Sequence, residues 1–160
     1  MDNFTTFIGI DPGKCGSMAV LTPKKTLLFS TPCKPDYDIW KMNMNLKDFA
    51  HATTFAVLER AQAMPGQGVV SMFEFGKGYG IWLTLLNINY ISYVIVHSSV
   101  WTREMLAGAP GEGKERNFLA ARKLFPYWNP KMKKEYQYCD SLLLASYAKR
   151  ICKNEKKTKL

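Results

Sequence analysis

Short apolar runs broken by turn residues dominate the first sixty positions. Phe7-Ile8-Gly9-Ile10-Asp11 is the first run, and its β-branched content favours a buried strand. The strand must stop at Pro12-Gly13, because Pro12 cannot donate to a sheet ladder and Gly13 can take positive φ. Gly16 to Leu21 predicts a second strand, Thr22-Pro23-Lys24-Lys25 a turn, and Thr26 to Ser30 a third strand. Such tight spacing makes the three an antiparallel meander. Residues 31–45, with Pro32 and Pro35, are expected to be irregular, and Leu46, Phe49 and Ala50 predict a short helix near 46–51. Thr54 to Glu59 reads as a fourth strand and Tyr90 to Val96 as a fifth.

Three longer stretches carry the helical period. Met72 to Asn87 places Phe73, Phe75, Tyr79, Trp82, Leu83 and Leu86 on its apolar side. Gly76, Gly78 and Gly80 weaken it by roughly 1 kcal/mol each, which suggests close backbone approach. Lys114 to Phe125 is a second helix, ended by Pro126, and Asp140 to Cys152 a third. Ser98 to Trp101 begins a turn or short helix; residues 63–68 and 108–113 are loops. The order β-β-β-α-β-α-β-α-α predicts an α/β fold, a mixed five-stranded sheet flanked by helices. With no repeat or linker, residues 1–152 are expected to form one domain, and residues 153–160 a basic, disordered tail.

The 160 residues can bury a full core, and they carry a net charge of +9. That excess favours a polyanionic partner, nucleic acid ahead of membrane. No apolar run is long enough to span a bilayer, and Met1-Asp2-Asn3 lacks the features of a signal peptide, so a cytoplasmic location is expected. Cys15, Cys33, Cys139 and Cys152 have no paired spacing; they read as free thiols, not a zinc site. Gly76-Lys77-Gly78-Tyr79-Gly80 lacks the ending of a phosphate loop, so no nucleotide cofactor is expected.

Three carboxylates stand out by position. Asp11 and Glu59 each end a short apolar strand, and Asp140 opens an apolar helix. If the first and fourth strands pair, their ends bring Asp11 and Glu59 together, and Asp140 can approach from the side. Clustered like charges require a cation, and carboxylate oxygens suit Mg²⁺ or Mn²⁺. Two such ions about 3.5–4 Å apart can activate water and stabilise the leaving oxygen of a phosphodiester. Each acid also has a plainer reading: Asp11 as a turn opener, Glu59 as an edge-strand surface charge, Asp140 as a helix cap. Together with the basic surface, the set favours a metal-dependent nuclease. Glu74, Glu112, Glu115, Asp36, Asp38 and Asp48 read as solvated, and His51 and His97 as structural or surface residues. Phosphate-contact candidates are Lys77, Lys114, Arg116, Arg122, Lys131, Lys133 and Lys134. Of the large apolar side chains after the first glycine-rich loop, Phe75 is placed nearer nucleic acid, and Tyr79, Trp82 and Leu86 in a core or dimer face.

Ile8-Gly9-Ile10-Asp11-Pro12-Gly13, Leu58-Glu59 and Cys139-Asp140-Ser141-Leu142-Leu143-Leu144-Ala145 resemble the metal-binding motifs of RuvC-like Holliday junction resolvases. Residues 63–68, Ser71 to Gly76, Tyr79-Gly80, Val100-Trp101 and Ala121 to Pro126 resemble, in order, the pattern of the phage-type branch. The likeness spans Phe7 to Arg150. It implies a ribonuclease-H-like fold, a homodimer joined through the helix after Met72-Phe73, and paired nicking of four-way DNA junctions. It also implies two Mg²⁺ per subunit (Mn²⁺ substituting), held by Asp11, Glu59 and Asp140, with Lys114 near the scissile phosphate. The family often has a fourth acid, or a His, just before the last Asp; here Gln137 stands at i−3 and Glu135 at i−5, leaving Glu135 as the candidate fourth ligand. Arg103 stands where a Lys is usual. Two rivals remain open: a broader flap and fork nuclease, and a junction-binding protein that has lost cleavage.

Overall fold

The computed structural model describes residues 3–13, 16–31, 38–62, 66, 68–130 and 133–158. Its five strands are β1 (Thr6–Asp11), β2 (Ser17–Leu21), β3 (Thr26–Ser30), β4 (Thr54–Glu59) and β5 (Ser92–Val96). They lie in the order β3-β2-β1-β4-β5, antiparallel at β3/β2 and β2/β1 and parallel at β1/β4 and β4/β5. The meander and the mixed α/β sheet are as the sequence predicts. Both faces are covered, so β1 is apolar at almost every position instead of alternating. Ile8, Ile10, Ala56 and Leu58 point toward helices α1 (Ile39–Lys47) and α2 (Val69–Ile88). Phe7, Val57 and Ala19 point the other way, into a layer with α3 (Ser98–Met105), α4 (Gly113–Leu124) and α5 (Tyr138–Thr158). A short 3₁₀ turn, η1 (Lys133–Gln137), leads directly into α5.

One glycine decides how closely α5 sits on the sheet. A Cβ on Gly9 would collide with the backbone of Ser141 and Ala145, so α5 lies directly against β1. Ser141, Leu142, Leu144 and Ala145 are fully buried there.

Several elements differ from the sequence reading. α1 spans Ile39–Lys47, not 46–51: Asp38 caps it by accepting from the Lys41 N–H at 2.9 Å, and Met42 and Leu46, one turn apart, form its buried face. The Leu46-to-Ala50 pattern is its last turn and exit. α2 begins three residues earlier than expected and runs for 20 residues. No helix among the described residues is long and apolar enough to cross a membrane. Gly76 and Gly80 face open space, so close backbone approach does not explain them. Trp82 and Leu86 are core, with Tyr79 packed against them, and none belongs to an exposed face. α5 continues to Thr158, past the end of the apolar period at Cys152, because Lys and Glu are good helix formers. Cys139 is a buried free thiol; Cys15, Cys33, Asp36 and the 63–65 loop lie outside the described residues.

Candidate active site

The two strand-end acids meet through the sheet. β1 and β4 are parallel neighbours with Ile10 opposite Leu58, so the next step places Asp11 beside Glu59. Side chains alternate along a strand, so both acids project on the face of Gly9 and Val57, toward α5. There the close seat of Ser141 on Gly9 brings the preceding residue, Asp140, over the strand ends. The register extends this into one row across the sheet end: Ser30 opposite Ser17, Ser17 opposite Asp11, then Glu59 opposite Val96.

Electrostatics record the convergence. Burial, then the charge of Asp140, raises Asp11 to about 6, against smaller downward pulls from the Gly13 N–H and Lys114. Burial, then Asp11 and Asp140, raises Glu59 to about 8. Asp140 is also raised by burial, and is restrained by a hydrogen bond from Asn117 and by Lys114. Three desolvated carboxylates that disfavour one another's ionisation form a donor set suited to a hard divalent cation. Among the described residues no three acid, His or Cys side chains are drawn to metal-ligating distance.

The plainer readings resolve unevenly. Asp11 does open a turn, accepting from the Gly13 N–H at 2.8 Å through one carboxylate oxygen. Glu59 is not an edge charge, because β4 lies between β1 and β5. Asp140 is not a cap: α5 starts at Tyr138, and the Asp140 carboxylate accepts instead from the Asn117 amide at 2.5 Å.

Lys114 is exposed in the first turn of α4, and Asn117 lies one turn later on the same side of that helix, so α4 presents both to the acids. Sequence reading misses Asn117, since an Asn within a polar helix face carries no signal. It matches Trp101 to a motif but gives it no role; the buried indole N–H of Trp101 holds the Glu59 pKa down. Arg60, directly after Glu59, lies 3.1 Å from Nε2 of His97, the residue after β5.

Other candidates have other partners. Arg116 donates to the carbonyls of Ala109 (3.1 Å) and Leu106 (2.9 Å), tying α4 to the end of α3. Arg122 donates to Asn129 at 2.7 Å and lies over the Phe118 ring. Lys77 is paired with Glu74 at 2.8 Å, so Glu74 is not simply solvated. Arg103 is exposed on α3. Phe75 is half-buried because it shares the side of Gly78 and Trp82, whereas Phe73 is 69% exposed beside exposed Val69 and Val70. Glu135 sits half-buried in η1, five residues before Asp140. The side chains of Lys133 and Lys134, and all of Lys131, lie outside the described residues. Gln137 turns toward β3, its amide 3.3 Å from Ser30 Oγ.

Solved structures share this architecture. RuvC of Thermus thermophilus superposes with a TM-score of 0.63 at 17% identity, covering 92% of this chain and 96% of that one. The fold is RuvC-like. T. thermophilus RuvC in complex with a Holliday junction substrate matches the RuvC-like fold equally well, with a TM-score of 0.63 at 16% identity over 88% of this chain and 90% of that one. No protein-family model matches the sequence, and no curated protein is similar to it in sequence. The RuvC-like fold therefore persists here at low identity, consistent with its ribonuclease-H-like sheet order.

Proposed function

We propose that this chain is a metal-dependent, structure-selective endonuclease that resolves Holliday junctions by paired nicking. The observation that carries the reading is the convergence of Asp11, Glu59 and Asp140, desolvated and beside Lys114. It gains support from a fold shared with a protein solved on a Holliday junction substrate, and from the motif order of the phage-type branch. Asp11, Glu59 and Asp140 would hold two Mg²⁺ ions, or Mn²⁺ in their place, with Asp11 shared and Glu135 a candidate fourth ligand. When bound, such ions supply activation of water and neutralise charge at the leaving oxygen.

The chain's own residues do the rest. Asn117 orients Asp140 and favours its ionised form. Lys114, exposed beside the acids, takes the scissile phosphate. The products carry 5′-phosphate and 3′-hydroxyl ends. The net charge of +9 draws DNA in and makes binding steeply salt-dependent. The chain acts as a homodimer in the cytoplasm, and the exposed Val69, Val70 and Phe73 on α2 suit a partner or unstacked bases.

Cleavage of an immobile four-way junction with Mg²⁺ tests the reading, with flap and fork substrates in parallel. Symmetric nicks that vanish in Asp11→Asn while junction binding persists are expected. Equal cutting of flaps would give the broader branched-DNA nuclease. Tight binding without cleavage in Mg²⁺ or Mn²⁺ would sink the enzymatic reading.

A further inference from the structure

Two buried serines join the elements that carry Asp11 and Asp140. Ser17 is the cross-strand partner of Asp11 in the antiparallel register, so its side chain stands beside that acid on the same face. Ser141 directly follows Asp140. Both serines are completely buried, and their hydroxyl oxygens are 2.8 Å apart. Ser17 Oγ is also 2.8 Å from the carbonyl of Gln137, the last residue of η1. With one proton on each hydroxyl, the pair is bonded either with Ser17 donating to Ser141, or with Ser141 donating to Ser17 and Ser17 to the Gln137 carbonyl, and either way both hydrogens are used inside the protein. The Tyr138 carbonyl, 3.1 Å away, is an alternative acceptor for Ser141.

Gly9 fixes the depth of α5 on the sheet, but close contact alone leaves the helix free to slide along or rotate above β1. The serine pair removes that freedom at the turn that carries Asp140. Each partner is one residue, in register or in sequence, from an acid of the cluster.

Resting on the nuclease reading above, we propose that Ser17 is a positioning residue that acts through Ser141 to hold the turn of α5 that carries Asp140 against the strand end that carries Asp11. It touches neither substrate nor metal. Without it, three mutually repelling carboxylates must be gathered by the cation alone, which weakens metal binding. Partners of this outer kind change metal affinity by about 10- to 100-fold when removed.

The test is calorimetric titration of the full chain with Mn²⁺, comparing wild type, Ser17→Ala, Ser141→Ala and the double variant. All are measured well below the midpoint of each variant's thermal unfolding, so that folded protein is compared with folded protein. Val20→Ala is the matched control: it opens a cavity on the opposite face of β2, beside Ile8 and Leu27, and lowers stability without touching the pair. The expected result is Mn²⁺ binding about 10- to 100-fold weaker in Ser17→Ala, no further loss in the double variant, and wild-type affinity in Val20→Ala. Wild-type affinity in Ser17→Ala, or an equal loss in Val20→Ala, would overturn the positioning role and leave the nuclease reading standing. A wild-type chain that takes up no Mn²⁺ would overturn both.

Discussion

Asn117 of α4 donates its side-chain amide to Asp140 of α5 across 2.5 Å, the shortest hydrogen bond to any of the three acids among the described residues. The bond favours the ionised carboxylate and fixes its direction. Asn117→Ala should lower junction cleavage by about 10- to 100-fold while leaving junction affinity near that of the wild type, since the Asn117 amide is engaged by Asp140. The Asp140 pKa should rise further, so the rising limb of the pH–rate profile should move to higher pH. An unchanged profile and rate would show that Asp140 is oriented by its helix alone.

Asp11 and Glu59 make the cation-free protein sensitive to base. Both are higher in the fold than in an unfolded chain, at about 6 and about 8. A carboxyl raised in this way holds its proton more tightly when folded. It costs nothing below the unfolded value, near pH 4, and destabilises as pH rises through the folded value. The stability of the metal-free protein should therefore fall between about pH 4 and pH 8. Asp11→Asn should raise Tm at pH 8 by several degrees and leave it nearly unchanged at pH 4. Mg²⁺ should stabilise the wild type more at pH 8 than at pH 5, because it binds the ionised acids. Thermal melts with chelator and with Mg²⁺ read both effects. A wild-type Tm that does not fall with pH would refute the burial of these charges.

Gly9→Ala tests the seat of α5. Its new methyl group meets backbone of Ser141 and Ala145, which cannot rotate aside. A loss of roughly 3 kcal/mol or more is expected from this overpacking. It should appear as a lower urea midpoint together with weaker metal binding, since Asp140 rides on the same turn. A stability within about 1 kcal/mol of wild type would mean that α5 can lift off β1 at little cost.

Tyr90 ends α2 with φ of 53°, a left-handed conformation usual for glycine. The Ile91 N–H reaches back to the Leu86 carbonyl at 3.0 Å, which closes the helix. The Tyr90 ring is almost fully exposed and contributes no core packing. Tyr90→Gly should raise stability by about 1 kcal/mol, measured by urea denaturation, with no effect on cleavage. A destabilised variant would show that the ring makes contacts that outweigh the backbone strain.

Much of the sheet and all three acids as candidates are legible in the sequence, the two strand-end acids because they follow from local rules. Apolar runs of five or six residues bounded by Pro, Gly and Lys fix β1 to β4, and an acid at the end of such a run must emerge at the sheet's end. The register that makes Asp11 and Glu59 neighbours then needs only one parallel pairing. The tertiary structure decides the remainder. The position of α1 depends on an Asp38 cap that composition disguises as loop. The place of Asp140 depends on how far α5 sinks onto Gly9 and on a serine bond spanning 124 positions of sequence. Arg116 and Arg122 read as surface cations until the fold brings carbonyls and an Asn amide oxygen to them. Charge and period are properties of a segment, whereas a hydrogen-bond partner or a helix's depth is set by whichever distant backbone packs against it.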